Sequence, residues 1–114
     1  MTTVSDLAAA LGLTVFTGEG EALCRPVEGG YCGDLLSWVM GRAPQNSAWV
    51  TIMSNLNVAA VAGLADVSCV ILAEGVAPDP ALEQRARSEN LPLLGSELSS
   101  FELAGKIYAL IGKP

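Results

Sequence analysis

A chain of 114 residues, 51% apolar and only 16% charged, has the size of one domain and more core-forming side chains than most soluble domains of that size. Twelve acidic against 6 basic residues leave a net charge of −6 with no basic cluster, which excludes nucleic acid and anionic membrane surfaces as partners. Histidine is absent, and with it go Ser–His–Asp and Cys–His nucleophile systems, His general bases and most zinc sites.

The first element is a short helix capped by Thr3, with Val4, Leu7, Ala8 and Leu11 on one face and Gly12 ending it. Leu13–Thr17 reads as a strand broken by Gly18-Glu19-Gly20, and Leu23–Val27 as a second extended piece kept near an edge by Pro26. Gly29-Gly30 predicts a turn before Tyr31. Asp34–Arg42 has helical spacing, with Leu35, Trp38 and Val39 on one side and core packing expected for Trp38 and Trp49. Ala48–Gly75 then reads as one right-handed strand–helix–strand crossover. Its helix is capped by Asn57 and apolar all round, which predicts burial on every side or contact with another subunit.

Asp79-Pro80 starts a surface helix over Pro80–Glu89, whose core face is Leu82 and Ala86 and whose outer face carries the spaced pairs Glu83/Arg87 and Arg85/Glu89. Asn90 ends it, Leu91–Leu94 makes a short strand, and Ser99-x-x-Glu102 opens the last helix as a capping box. That helix, with Phe101, Leu103, Ile107, Tyr108, Leu110 and Ile111, again carries more apolar surface than one core requires. The repeated strand–helix pattern of the second half predicts a three-layer α/β/α domain over residues 1–114 with a short, mainly parallel sheet.

Cys24, Cys32 and Cys69 form no Cys-x-x-Cys pair, which fits free thiols in a reducing cytoplasm, with Cys69 a small core residue. The amino terminus lacks the basic start of a secretory leader. Charged residues are absent from Ala43 to Ala65, but Pro44, Gln45, Asn46, Ser54, Asn55 and Asn57 break that window, so no membrane span is expected.

Three places draw attention as ligand sites. Arg25 beside Gly29-Gly30 offers donors to an anion, although a tight turn and an Arg25–Glu28 ion pair account for the same residues. Asn55 and Asn57 lie where a strand leads into a helix, a common ligand position in open parallel sheets, although Asn57 also serves simply as a cap. Glu74, at the next strand's end, borders the same crevice or is solvated. No acidic pair has the spacing of a metal site, and no cofactor motif is present.

Over Gly18-Glu19-Gly20 and Leu23-Cys24-Arg25-Pro26-Val27-Glu28-Gly29-Gly30-Tyr31, then Gly33–Ser37, Trp49–Ile52, Asn57–Ala62 and Ile71–Gly75 on to the last helix, the chain resembles the DRTGG domain family. Arg25, Gly29 and Gly30 match the naming motif, while Cys24 and Glu28 stand where it has Asp and Thr. The resemblance implies an α/β domain related to the amino-terminal domain of HPr kinase/phosphorylase, regulatory or accessory in type and often oligomeric. No kinase domain is expected within these residues: neither Gly105-Lys106 nor Gly112-Lys113 has the first glycine or the hydroxyl of a P-loop. The expected function is a non-catalytic regulatory or interaction module, homodimeric through its apolar helices or bound to another protein. The alternative is a sensor of a nucleotide or other anionic small molecule at the Gly29-Gly30 and Asn55–Asn57 loops.

Overall fold

The computed structural model describes residues 1–112, and it is a three-layer α/β/α domain around a five-stranded, mainly parallel sheet. The strands are β1 (Thr14–Thr17), β2 (Gly29–Cys32), β3 (Ser47–Thr51), β4 (Cys69–Leu72) and β5 (Leu93–Gly95), in spatial order β1-β5-β4-β3-β2. Only β1 is antiparallel to its neighbour. The helices are α1 (Val4–Leu11), α2 (Leu36–Arg42), α3 (Asn57–Ala65), α4 (Pro80–Ser88) and α5 (Ser100–Ile111).

Successive parallel strands step across the sheet in one direction. Right-handed crossovers therefore put α2, α3 and α4 on the same face and leave α1 and α5 for the other. The pleat divides the core accordingly. Trp49, Val70, Leu72 and Leu93 pack with Val39, Val58, Val61 and Leu82, while Ala48, Val50, Ile71 and Leu94 pack with Val4, Leu7, Leu103 and Ile107. Every residue of β3 and β4 is buried, as the apolar run of a strand covered on both sides requires. Each fully buried Val, Leu or Ile contributes about 2 kcal/mol. Each exposed ion pair of α4 contributes about 0.4 kcal/mol, so the two central strands, not that surface, hold the fold.

Local chemistry sets several boundaries as the sequence predicts. Thr3 and Asp6 form a reciprocal capping box at 3.1 and 2.9 Å, and Gly12 ends α1 in the left-handed conformation. Pro80 occupies the first turn of α4, and Ser99 accepts from the Glu102 amide at the start of α5, which is one half of the expected capping box. Leu82 and Ala86 are buried, and both ion pairs of α4 form.

Elsewhere the structure corrects the reading. Gly29-Gly30 is not a turn: both glycines lie in β2, registered on Ser47 and Ala48 of β3. The expected strand at Leu23–Val27 is instead a 3₁₀ turn over Gly20–Cys24, followed by a single bridge from Pro26 to Thr3. Strand β5 begins two residues later than expected. Asn57 does not cap α3 but opens it, and the Asn55 side chain accepts from its amide at 2.9 Å. Trp38 is 52% exposed beneath the Arg42 guanidinium, whereas Trp49 is fully buried. Helix α3 is not covered all round either, since Leu64 is 71% exposed.

Candidate functional site

The candidate ligand residues fall at opposite ends of the sheet. Arg25 and Gly29 lie at the amino ends of the parallel strands, whereas Asn55, Asn57 and Glu74 follow their carboxyl ends. Strand β3 separates the two groups by about 13 Å at the usual rise per residue. Gly30 lies within β2, and a β-carbon there would sit 3.6 Å from the Ala48 carbonyl oxygen. In-strand backbone does not form the concave array of amides that an anion needs.

At the amino ends, Arg25 ties together three segments that each lead into a strand. Its Nε and Nη2 donate to Asn46 Oδ1 at 3.0 and 2.8 Å, and Nη2 also donates to the Asp66 carbonyl and carboxylate at 2.7 and 2.9 Å. Asn46 and Asp66 both sit in the left-handed region, which these residue types tolerate best after glycine. Gln45 donates to the other carboxylate oxygen of Asp66 at 2.6 Å, and Asn46 donates to Glu28 at 3.2 Å. The Arg25 and Gln45 hydrogen bonds hold the Asp66 carboxyl below the usual carboxylate range. The ion-pair partner of Arg25 is therefore Asp66, not Glu28. With that charge already matched and two nitrogens engaged, the cluster is a clamp on loops.

The carboxyl ends are equally occupied with their own backbone. Asp34 Oδ1 accepts from the Thr51 hydroxyl at 2.7 Å and from the Ile52 amide at 3.0 Å. Ser54 donates to Asp79 at 3.1 Å. Glu74, left-handed at φ 61°, accepts from the Ser100 amide at 3.2 Å and so satisfies the first turn of α5. The parallel strands follow one another in the order 5-4-3-2 without reversal. The sheet thus lacks the switch point at which open α/β sheets form a ligand crevice.

Asn46, Gln45 and Asp34 were not evident from sequence as members of any site. One signal pointed to the first of them. Arg25, Asn46 and Asp66 each precede a strand of one parallel sheet, and parallel pairing brings strand starts together.

An apolar groove of about 180 Å³ runs between α5 and the β2–β3 edge, lined by Gly30, Cys32, Val50, Ile107 and Tyr108 among others. Among the described residues its lining includes no carboxylate, Lys or Arg, so those residues offer neither an acid–base pair nor a countercharge for an anion. Among the described residues there is no group of three His, Cys, Asp or Glu placed to hold a metal ion, and no helix long and apolar enough to cross a membrane.

The thiols differ sharply in environment. Burial pushes the Cys69 thiol up to about 12 against a small opposing pull from Arg25. Burial and then the charge of Asp34 raise that of Cys32. At pH 8 a thiol reagent is expected to modify exposed Cys24 and Cys32 in the native protein, Cys32 slowly for an exposed thiol, and Cys69 only on unfolding. Three thiols titrating together without denaturant would contradict this.

Comparison of the sequence with protein-family models and with curated proteins returns no match.

Proposed function

We propose that this chain is a non-catalytic regulatory or interaction module of the DRTGG type, homodimeric and cytoplasmic, which works through its surface. The observation that carries the reading is the exposure of large apolar side chains on helices whose opposite faces already fill the core. On α5, Phe101 is 90% exposed and Tyr108 53%, and across the sheet Leu64 of α3 and Trp38 of α2 are exposed as well. Exposed apolar side chains gathered on one element mark interaction sites. The exposed thiols of Cys24 and Cys32 fit a reducing compartment.

The competing reading, a sensor of a nucleotide or other anion, draws less support. Its two loops lie at opposite ends of the sheet, and its one arginine is paired with Asp66. Sedimentation equilibrium at tens of micromolar protein is the test, with twice the chain mass expected. A monomer at that concentration, or a melting temperature raised by several degrees with millimolar nucleotide, overturns the proposal in favour of the sensor or of another partner.

A further inference from the structure

Helix α5 carries on its exposed side a pattern that matches itself when turned end for end. Leu103 and Ile107 face the core, and the opposite side presents Phe101, Gly105 and Tyr108 at spacings of four and three. This is the seam of a helix that packs along another helix. Phe101 and Tyr108 stand equally far from a point between Ala104 and Gly105, about 5 Å along the axis to either side. At that point the seam is bare, because Gly105 has no side chain and a β-carbon built there meets nothing within 4 Å. The pattern is large, small, large, with the small residue central.

The charges follow the same centre. Glu102 and Lys106 share one flank of the seam, displaced in opposite senses from its midpoint. Along a single helix they have the same spacing and order as Glu83 and Arg87 of α4, which do form an ion pair. Glu102 and Lys106 form none, nor does either appear in any ion pair among the described residues. A two-fold axis between antiparallel helices keeps each flank facing its own copy. It sets Glu102 level with the partner's Lys106 to within about 1.5 Å along the axis.

We propose that the homodimer forms by antiparallel pairing of α5 with α5 of a second copy. Phe101 packs on the partner's Tyr108 at both ends, the two Gly105 backbones meet at the axis, and Glu102 pairs with the partner's Lys106 twice. The bare centre lets the helices approach to the 8–10 Å that close packing needs. This inference rests on the homodimer reading above and names the surface that serves it. The occupant is a second copy because both the size pattern and the charge pattern are complementary to themselves.

The test is a charge reversal with rescue, read by sedimentation equilibrium. Lys106→Glu sets like charges opposite each other at both ends and is expected to weaken the dimer about tenfold or more. The double change Glu102→Lys with Lys106→Glu restores the facing signs and is expected to restore the dimer. In a Cys24→Ser, Cys32→Ser background, Gly105→Cys is expected to oxidise to a disulfide-linked dimer, since its two copies meet at the axis.

A Lys106→Glu protein that dimerises like wild type, or a double variant that stays monomeric, overturns α5 pairing while leaving a homodimer through some other face. A wild-type chain that is monomeric overturns both.

Discussion

Replacing Trp49 with alanine is expected to remove about 4 kcal/mol of stability, the range for deleting a large aromatic from a core. The melting temperature should fall by about 15–20 °C for a domain of this size. Trp49 is fully buried at the centre of β3, against Val39, Val58 and Leu72, and its indole N–H donates to the Gly33 carbonyl at 2.9 Å. It therefore contributes twice, as buried apolar area and as the donor that ties the end of β2 to β3. Trp49→Phe keeps most of the area and loses the hydrogen bond, so a loss of about 1–2 kcal/mol is expected. Trp38→Ala, at a half-exposed site, should change monomer stability by about 0.5 kcal/mol. Urea denaturation of the three variants checks the ranking. Trp49 should also show blue-shifted emission shielded from acrylamide, and Trp38 emission that acrylamide quenches. A Trp49→Ala loss below about 1.5 kcal/mol would show that the β3 core is not where this fold is held.

What was legible in the sequence was local. Val-Ser-Cys-Val-Ile-Leu reads as a doubly covered strand because it is short, rich in β-branched residues and almost continuously apolar. Thr3, Gly12, Pro80 and Ser99 mark helix ends by chemistry contained within a few residues. Strand β2 was not legible, because Gly29 and Gly30 have no intrinsic strand preference and are extended only by pairing with Ser47 and Ala48, eighteen residues away. Trp38 shares the helical spacing of Leu35 and Val39, yet of the seven residues of α2 only Val39 is buried. Leu23 to Val27 looks extended by composition, but the chain must first turn to bring Pro26 against Thr3.

The partners of the candidate residues were not legible for the same reason. Sequence proximity made Glu28 the expected partner of Arg25, whereas Asp66, 41 residues away, is the one that parallel strand order delivers. Glu74 read as bordering a crevice or simply solvated, and its carboxylate accepts from the Ser100 amide at the start of α5.

Arg25→Ala is expected to lower stability by about 2 kcal/mol, with a fall in melting temperature near 10 °C. The side chain is 31% exposed, so water recovers part of what its charged hydrogen bonds supply, and the figure sits low in their range. The loss has a second source: Asn46 and Asp66 keep their left-handed backbones while the clamp that held them is gone. Arg25→Lys keeps the charge but cannot reach Asn46 and Asp66 together from two nitrogens, so it should recover less than half of the loss.

The pH dependence distinguishes this clamp from an anion site. The folded Asp66 carboxyl lies below its unfolded value because Arg25 and then Gln45 donate to it. A depressed carboxyl contributes stability above the unfolded pKa, near 4, and that contribution is lost as pH falls through the folded value. The gap between wild type and Arg25→Ala should therefore be widest at pH 6–7 and narrow below about pH 4. Asp66→Asn should show the same narrowing, and the double variant should lose less than the sum of the singles, because both changes break one link. An Arg25→Ala protein as stable as wild type, but no longer stabilised by phosphate, would return Arg25 to the surface as a ligand group.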